Sequence, residues 1–342
     1  MLEQLIAQTP TLVLLLIIVV CIVLLSKGAD WMIEGVVILA ERTGLTRMVI
    51  GATIISLGTT MPEAFVSVTA AYLGNPGLAL GNGVGSIIAD TGLIFGLTCL
   101  LARVPVHKYI LNRTGTIQVG AATLLVVLSV LAWLTSGGEP QLGRWVGILF
   151  LFLLVGYMYL TYRWSVQSLI TEPQDAQCEG QDTACLWVCW AMTLGGLALV
   201  IAGARIMVPS ASEIALRFGI PEDVIAATLV AFGTSLPELT TAIAAVKKGY
   251  PEIVVGNVVG ADVLNCLFVI GAAACARPLH IPDNFFLFHF PAMLLILYSF
   301  RVFIFANTSG FFSRLTGAWL LGIYAVYVVL QYTLNLNLNG HG

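Results

Sequence analysis

Charged side chains are scarce in this chain. Asp, Glu, Lys and Arg make up 10% of its 342 residues, against about a quarter in a soluble domain. With 58% of residues hydrophobic and a mean hydropathy of +0.96, a soluble form would lack the polar surface to cover itself. The composition excludes an ordinary soluble enzyme and marks an integral membrane protein. No long basic run suits phosphate, and the net charge of −3 gives no ground for a nucleic-acid partner. A GxxxxGK[ST] motif for ATP is absent. The seven cysteines form no regular disulfide framework; most lie in apolar stretches and read as small apolar side chains. Cys185 and Cys189 have helical spacing, but no histidine lies near to complete a metal site. His107, His280, His289 and His341 are dispersed and read as loop or interface residues. The run from Thr11 to Leu25 lacks a basic lead-in and a cleavage pattern, so it reads as half of a long transmembrane helix rather than a signal peptide.

What is present is a series of apolar stretches punctuated by Gly, Pro and charge. They predict ten spans, at 11–40, 46–73, 78–102, 115–136, 143–163, 185–210, 221–247, 252–275, 285–306 and 314–334. The first, second, sixth and seventh exceed the ~20 residues that a bilayer needs and are expected to tilt or break. One polar segment, 165–184, carries Glu172, Asp175, Glu179 and Asp182 with no Lys or Arg. It divides the chain into 1–164, an acidic linker, and 185–342.

The two parts are related. GTTMPE at 58–63 recurs as GTSLPE at 233–238, a shift of 175 residues. At the same shift GNGVG at 81–85 meets GNVVG at 256–260, and Gly74 with Pro76 meets Gly249 with Pro251. From 28 to 96 no gap is needed, and about a third of the positions are identical. The matches are Gly, Pro, Thr, Asn and Glu rather than scattered Leu and Val, which marks a duplicated unit. Five spans per unit make the second copy enter from the opposite side, an inverted repeat with a pseudo-two-fold axis in the membrane plane. Loop charge sets the orientation. Arg42, Arg47, Arg103, Lys108, Arg113, Arg163, Lys247, Lys248, Arg301 and Arg314 fall on one side, and chiefly Arg144, Arg217 and Arg277 on the other. The positive-inside rule then puts both termini outside and the acidic linker in the cytoplasm.

Glu63 and Glu238 sit mid-span at equivalent positions. A carboxylate at membrane depth is costly and is a functional candidate by default. Two such groups near a pseudo-axis repel unless a cation bridges them or a proton neutralises one. Pro62 and Pro237 lack an amide hydrogen, and Gly58 and Gly233 loosen the same turn. Carbonyls of 56–59 and 231–234 are therefore free to turn towards an ion. Thr59, Thr60, Thr234 and Ser235 add hydroxyls. An all-oxygen set suits calcium and argues against zinc or copper. Gly81, Gly85, Gly256 and Gly260 lie at GxxxG spacing and read as packing positions. Ser86, Asp90 and Asn265 follow on the next span; Asp90 and Asn265 are equivalent, whereas Asp262 pairs with Ile87. Asp30 and Arg205 align across the repeat and read as structural or interfacial.

GTTMPE with GNGVGSIIAD, and GTSLPE with GNVVGADVLN, resemble the paired alpha-1 and alpha-2 repeats of the cation/calcium antiporter superfamily, and most of all those of prokaryotic sodium/calcium exchangers. The motif regions are 58–96 and 233–271. The resemblance implies an all-α membrane protein of ten helices in two inverted five-helix repeats. It implies that Glu63 and Glu238 bind calcium and sodium in competition. It also implies that Thr59 and Thr234 give carbonyls and hydroxyls, that Thr60 and Ser235 stand beside the ions, that Ser56 and Ala231 offer carbonyls to sodium, and that Ser86 is a sodium ligand. Two departures concern the ion complement: Ala261 stands where relatives often have Ser, and Asp90 with Asn265 reverses the usual order of the inner polar pair.

The expectation is a transporter, not an enzyme, in a prokaryotic plasma membrane, with no cofactor and with calcium and sodium as its partners. It exchanges sodium for calcium by alternating access. A proton/calcium or potassium-dependent antiporter of the same fold is the alternative. A passive channel is a third reading. An intramembrane aspartyl protease using Asp90 and Asp262 would need a GxGD element, which is absent, and would leave the paired glutamates without a role.

Overall fold

In a bilayer every backbone N–H and C=O needs a partner within the protein, so an apolar chain resolves into helices. The computed structural model describes residues 6–43, 47–135, 139–171, 186–218, 233 and 235–339. It is an all-helical membrane protein. The helices are α1 (Thr11–Thr43), α2 (Arg47–Thr59), α3 (Met61–Tyr72), α4 (Pro76–Leu101), α5 (Lys108–Thr135), α6 (Arg144–Thr171), α7 (Leu186–Arg217), α8 (Leu236–Lys247), α9 (Pro251–Ala276), α10 (Phe285–Ala306) and α11 (Arg314–Asn339). Eight described helices are long and apolar enough to cross a membrane, or nine when α2 and α3 count as one bent span. Most of the first half of the expected seventh span, 219–232, lies outside the described residues.

The long spans behave as their length requires. α1 and α7 run unbroken for 33 and 32 residues. The second span breaks: α2 and α3 meet at 41° with Thr60 at the corner. Pro62 falls in the first turn of α3, where its missing N–H leaves no helical bond unmade.

The 175-residue shift reappears in the secondary structure. α3 and α8 share their bounds under it, and so do α4 and α9. Both α4 and α9 widen into a π-helical segment at the same place, Asp90–Phe95 and Asn265–Ile270. α3 and α8 both end on a left-handed glycine, Gly74 (φ 91°) and Gly249 (φ 80°). The residue after each closes back on the helix, Asn75 N on Ala70 O and Tyr250 N on Ala245 O, both at 2.8 Å. A side chain at either glycine would be strained.

α1 and α7 pack along their length. Gly28 touches Gly196 and Leu199, and Gly203 touches Cys21 and Leu25. Gly35 meets Thr193, and Arg217 bonds Thr11 Oγ1 at 2.9 Å. Numbers fall along α7 as they rise along α1, so the two run antiparallel. The contacts are also reciprocal: a residue and its repeat equivalent make equivalent contacts.

α4 and α9 form the centre, with 72% and 94% of their apolar stretches buried. At one end the 102–107 and 307–313 loops join through Val106 N to Gly310 O and Phe312 N to Val104 O. At the other, Gln141–Leu142 and Leu279–His280 form a two-residue antiparallel pair.

Candidate ion site

Glu63 lies in the first turn of α3 and Glu238 in the first turn of α8. The N-terminal end of a helix carries partial positive charge, which favours a carboxylate there. Both side chains are buried, at 1% exposure, and all four of their carboxylate oxygens lack a hydrogen-bond partner. Glu238 lies within electrostatic reach of both Glu63 and Asp90.

The corner before each glutamate supplies a further bare oxygen. Thr60 Oγ1 and Ser235 Oγ are equivalent, buried and unpartnered. Asp90 and Asn265, also equivalent, meet: Asn265 Nδ2 donates to Asp90 Oδ2 at 3.3 Å, leaving Asp90 Oδ1 and Asn265 Oδ1 bare. Three pairs of repeat-related side chains thus carry eight buried, unpartnered oxygens. Buried polar atoms are nearly always satisfied, so such a concentration calls for a ligand. Calcium takes six to eight oxygens. Among the described residues no three His, Cys, Asp or Glu form a ready-made metal cage; a cation here would also draw on hydroxyl, amide and backbone oxygens.

The other sequence-derived candidates are placed as follows. Ser56 is buried on α2; its carbonyl accepts from Thr60 N at 2.9 Å and from Thr59 Oγ1 at 3.4 Å. The turn before Pro62 therefore closes part of its own hydrogen bonding, and the Ser56 carbonyl reaches an ion only if the longer of the two bonds, from Thr59 Oγ1, gives way. Ser86 is buried on α4. Ala231 and Thr234 lie outside the described residues. Asn82 Nδ2 donates to Glu63 O at 3.2 Å and to Ser67 Oγ at 3.0 Å, fixing α4 against the start of α3.

α7 lies over both corners. Leu197 sits against Gly58 and Val208 against Gly233, where any larger residue would collide. A cavity of about 180 Å³ remains there, lined among others by Pro62, Arg205, Val208, Gly233 and Pro237. The Arg205 guanidinium stands 5.3 Å from the centre of the Phe65 ring.

Sequence reasoning missed Thr91 and Gln118, which hold Asp262: the Thr91 hydroxyl and the Gln118 amide both donate to Asp262 Oδ2. The available signal was Gln118 itself, an amide within the apolar run 115–136.

Residues 13–163 and 188–333 match the sodium/calcium exchanger protein family. The chain belongs to that family. It is 32% identical over 330 residues to the inner membrane protein YrbG of Escherichia coli, covering 93% of this chain and 97% of the relative. It is 28% identical over 344 residues to the sodium/calcium exchanger MaX1 of Methanosarcina acetivorans, covering 93% and 98%. A solved structure of the sodium-calcium exchanger NCX_Mj, soaked with zero Na+ and Ca2+, superposes with a TM-score of 0.77 at 25% identity, covering 94% of this chain and all of the other. The resemblance read from the two motifs thus extends over residues 13–163 and 188–333.

Proposed function

We propose that the chain is a secondary active antiporter that exchanges sodium for calcium by alternating access at a site centred on Glu63 and Glu238. The observation that carries the reading is the cluster of bare, buried oxygens on repeat-equivalent side chains, in a member of this exchanger family. Glu63, Glu238, Thr60, Ser235, Asp90 and Asn265 are the side-chain ligands we infer, with Thr59, Thr234, Ser56, Ala231 and Ser86 completing the sodium positions. An empty, charged site resists passage through a hydrophobic constriction, whereas a neutralised one does not. Ion occupancy thus decides when α1 and α7 slide over the two corners.

The architecture we infer is ten spans in two inverted halves, 1–164 and 185–342, joined by the cytoplasmic linker 165–184. The antiparallel, reciprocal packing of α1 on α7 supports it. Arg103, Lys108 and Arg314 stand at the end joined by the 102–107 and 307–313 loops. That end is the cytoplasmic one by the positive-inside rule, which leaves both termini outside a prokaryotic plasma membrane.

Calcium flux in proteoliposomes tests the coupling. An imposed sodium gradient at fixed pH should drive calcium uphill, and removing sodium should stop it. Uphill calcium movement on a proton gradient alone, or only with potassium present, would replace sodium coupling by one of those alternatives. Downhill flux alone would make the protein a channel.

The inner polar pair gives a sharper test. Asp90→Asn keeps size and one donor–acceptor set, and Asn265 can bond an amide as it bonds the acid. The variant should retain sodium-driven exchange, and so should the double swap with Asn265→Asp. Loss as complete as in a glutamate variant would make Asp90 an obligate charged ligand.

Motion of α1 has its own handle. Lys248, at the α8–α9 turn, bonds Glu34 on α1 at 2.7 Å and stands 3.9 Å from Asp30, one turn earlier. In a cysteine-free background, cysteines at 34 and 248 joined by a reducible bifunctional thiol reagent, which spans the gap that the two long side chains bridge, should stop flux, with recovery on reduction. Full flux through the cross-linked protein would refute sliding of α1.

A further inference from the structure

The stretches of chain that build one end of the molecule hold no acid. Residues 91–138 and 284–342 contain no Asp or Glu, yet they carry Arg103, Lys108, Arg113, Arg301 and Arg314. Cations at other helix ends are paired: Lys248 meets Glu34 at 2.7 Å and Arg47 meets Glu252 at 3.3 Å. Arg301 bonds Asn112 Oδ1 at 3.2 Å and Thr116 Oγ1 at 2.9 Å, and Arg113 lies over the Tyr109 ring. Arg103 and Arg314 are exposed and form no ion pair with any described residue.

Both arginines line one cavity of about 630 Å³ where α4 ends and α11 begins, with Leu101, Ser309, Phe311 and Ser313 among its other walls. Backbone contacts hold those walls together. Gly96 and Gly317 bring α4 close against α11, and Val106 N to Gly310 O and Phe312 N to Val104 O tie the two loops. Arg314 opens α11, at the helix end that is itself partly positive, so its charge adds to that end instead of offsetting it. An anion in the cavity would offset both guanidiniums and the helix end. Leu101 and Phe311 in the lining, and Leu315 beside it, are exposed apolar side chains.

We propose that this cavity binds the phosphate of an anionic phospholipid, with Arg103 and Arg314 donating to its oxygens and the acyl chains lying over Leu101 and Phe311. A guanidinium suits a phosphate because its N–H donors form a fork that matches two of the oxygens. The place favours a lipid over a soluble anion. Both arginines stand at the ends of spanning helices with apolar side chains exposed next to them, and basic pockets between such helices take phospholipid headgroups. A phosphate held from both loops ties the end of α4 to the start of α11. The lining includes none of the inferred ion ligands, so the proposal stands or falls apart from the reading of the transported cations.

Melting of the full chain in phosphatidylcholine nanodiscs, with and without phosphatidylglycerol, tests it. Phosphatidylglycerol should raise the melting temperature of the wild type, and the double variant Arg103→Gln with Arg314→Gln should lose that rise. Lys27→Gln with Lys247→Gln removes as much charge from exposed positions outside the cavity and should keep it. No rise in the wild type, a rise that survives loss of both arginines, or an equal loss in the lysine pair overturns the proposal. Inorganic phosphate added to pure phosphatidylcholine discs should give no rise; a rise matching that of the lipid would make the site one for a soluble anion and overturn the lipid assignment. Native mass spectrometry of the wild type decides alone where the arginine variant does not fold. Phosphatidylglycerol should be retained over phosphatidylcholine by about tenfold, the scale expected of two arginines at a membrane surface, and equal retention overturns the site.

Discussion

Glu63→Gln and Glu238→Gln should each abolish calcium transport and leave a folded protein that is no less stable. Each carboxylate is buried with two bare oxygens, so in the absence of ions it contributes desolvation cost and no hydrogen bond. Replacing it by an isosteric amide lowers that cost, because a neutral amide is cheaper to bury than a carboxylate, and the calcium-free melting temperature should stay level or rise. Calcium binding suffers the opposite effect. A unit charge about 4 Å from another is worth about 4 kcal/mol at an effective dielectric of 20, which is about a thousandfold in affinity. Because a ligand stabilises only the state that binds it, the wild type should gain thermal stability with added calcium and both variants should lose that gain. Flux and calcium-dependent melting together separate loss of binding from loss of folding. Normal flux in either variant would sink the assignment of the glutamates.

The repeat was legible because Gly, Pro and Glu carry positional meaning that Leu and Val do not. The shift that aligns GTTMPE with GTSLPE also aligns the bounds of α3 with α8 and of α4 with α9. The burial of Glu63 and Glu238 and the meeting of Asp90 with Asn265 followed from the same register. The widened turns at Asp90–Phe95 and Asn265–Ile270 were not legible. A π segment reflects a local insertion accommodated by packing on all sides, and no residue type spells it out. The partners of Asp262 were hidden for a related reason: Thr91 and Gln118 reach it over 171 and 144 residues of chain, and no alternation or spacing records a contact of that range. Ser56 shows a different limit. Pro62 starts a new helix rather than opening the old one, and the Ser56 carbonyl still closes on Thr60 N, so the sequence overstates how open the turn is.

Gly256→Ala and Gly260→Ala should both weaken the fold, and only the second should also weaken ion binding. α9 crosses α2 with backbone against backbone. A methyl group on Gly256 would collide with the Met48 carbonyl oxygen, and one on Gly260 would stand 2.5 Å from Ala52 O and 2.6 Å from Ser56 Oγ. The obstacles at Gly256 are backbone atoms of Met48 and Ala52, not the free end of a flexible side chain, so the helices must part. Overpacking of this kind costs about 1–3 kcal/mol, to which lost contact between the central helices adds. Gly256 faces the part of α2 remote from the corner, and calcium should still raise the melting temperature of its variant. Gly260 faces Ser56, one turn before Thr60. Displacing that turn shifts the corner that aims Thr60 and Glu63, and interiors this closely packed transmit such a shift rather than absorb it. The Gly260 variant should therefore melt lower and respond less to calcium, with flux reduced beyond what its folded fraction explains. A Gly256→Ala protein that melts like the wild type would show that α9 and α2 are not in backbone contact.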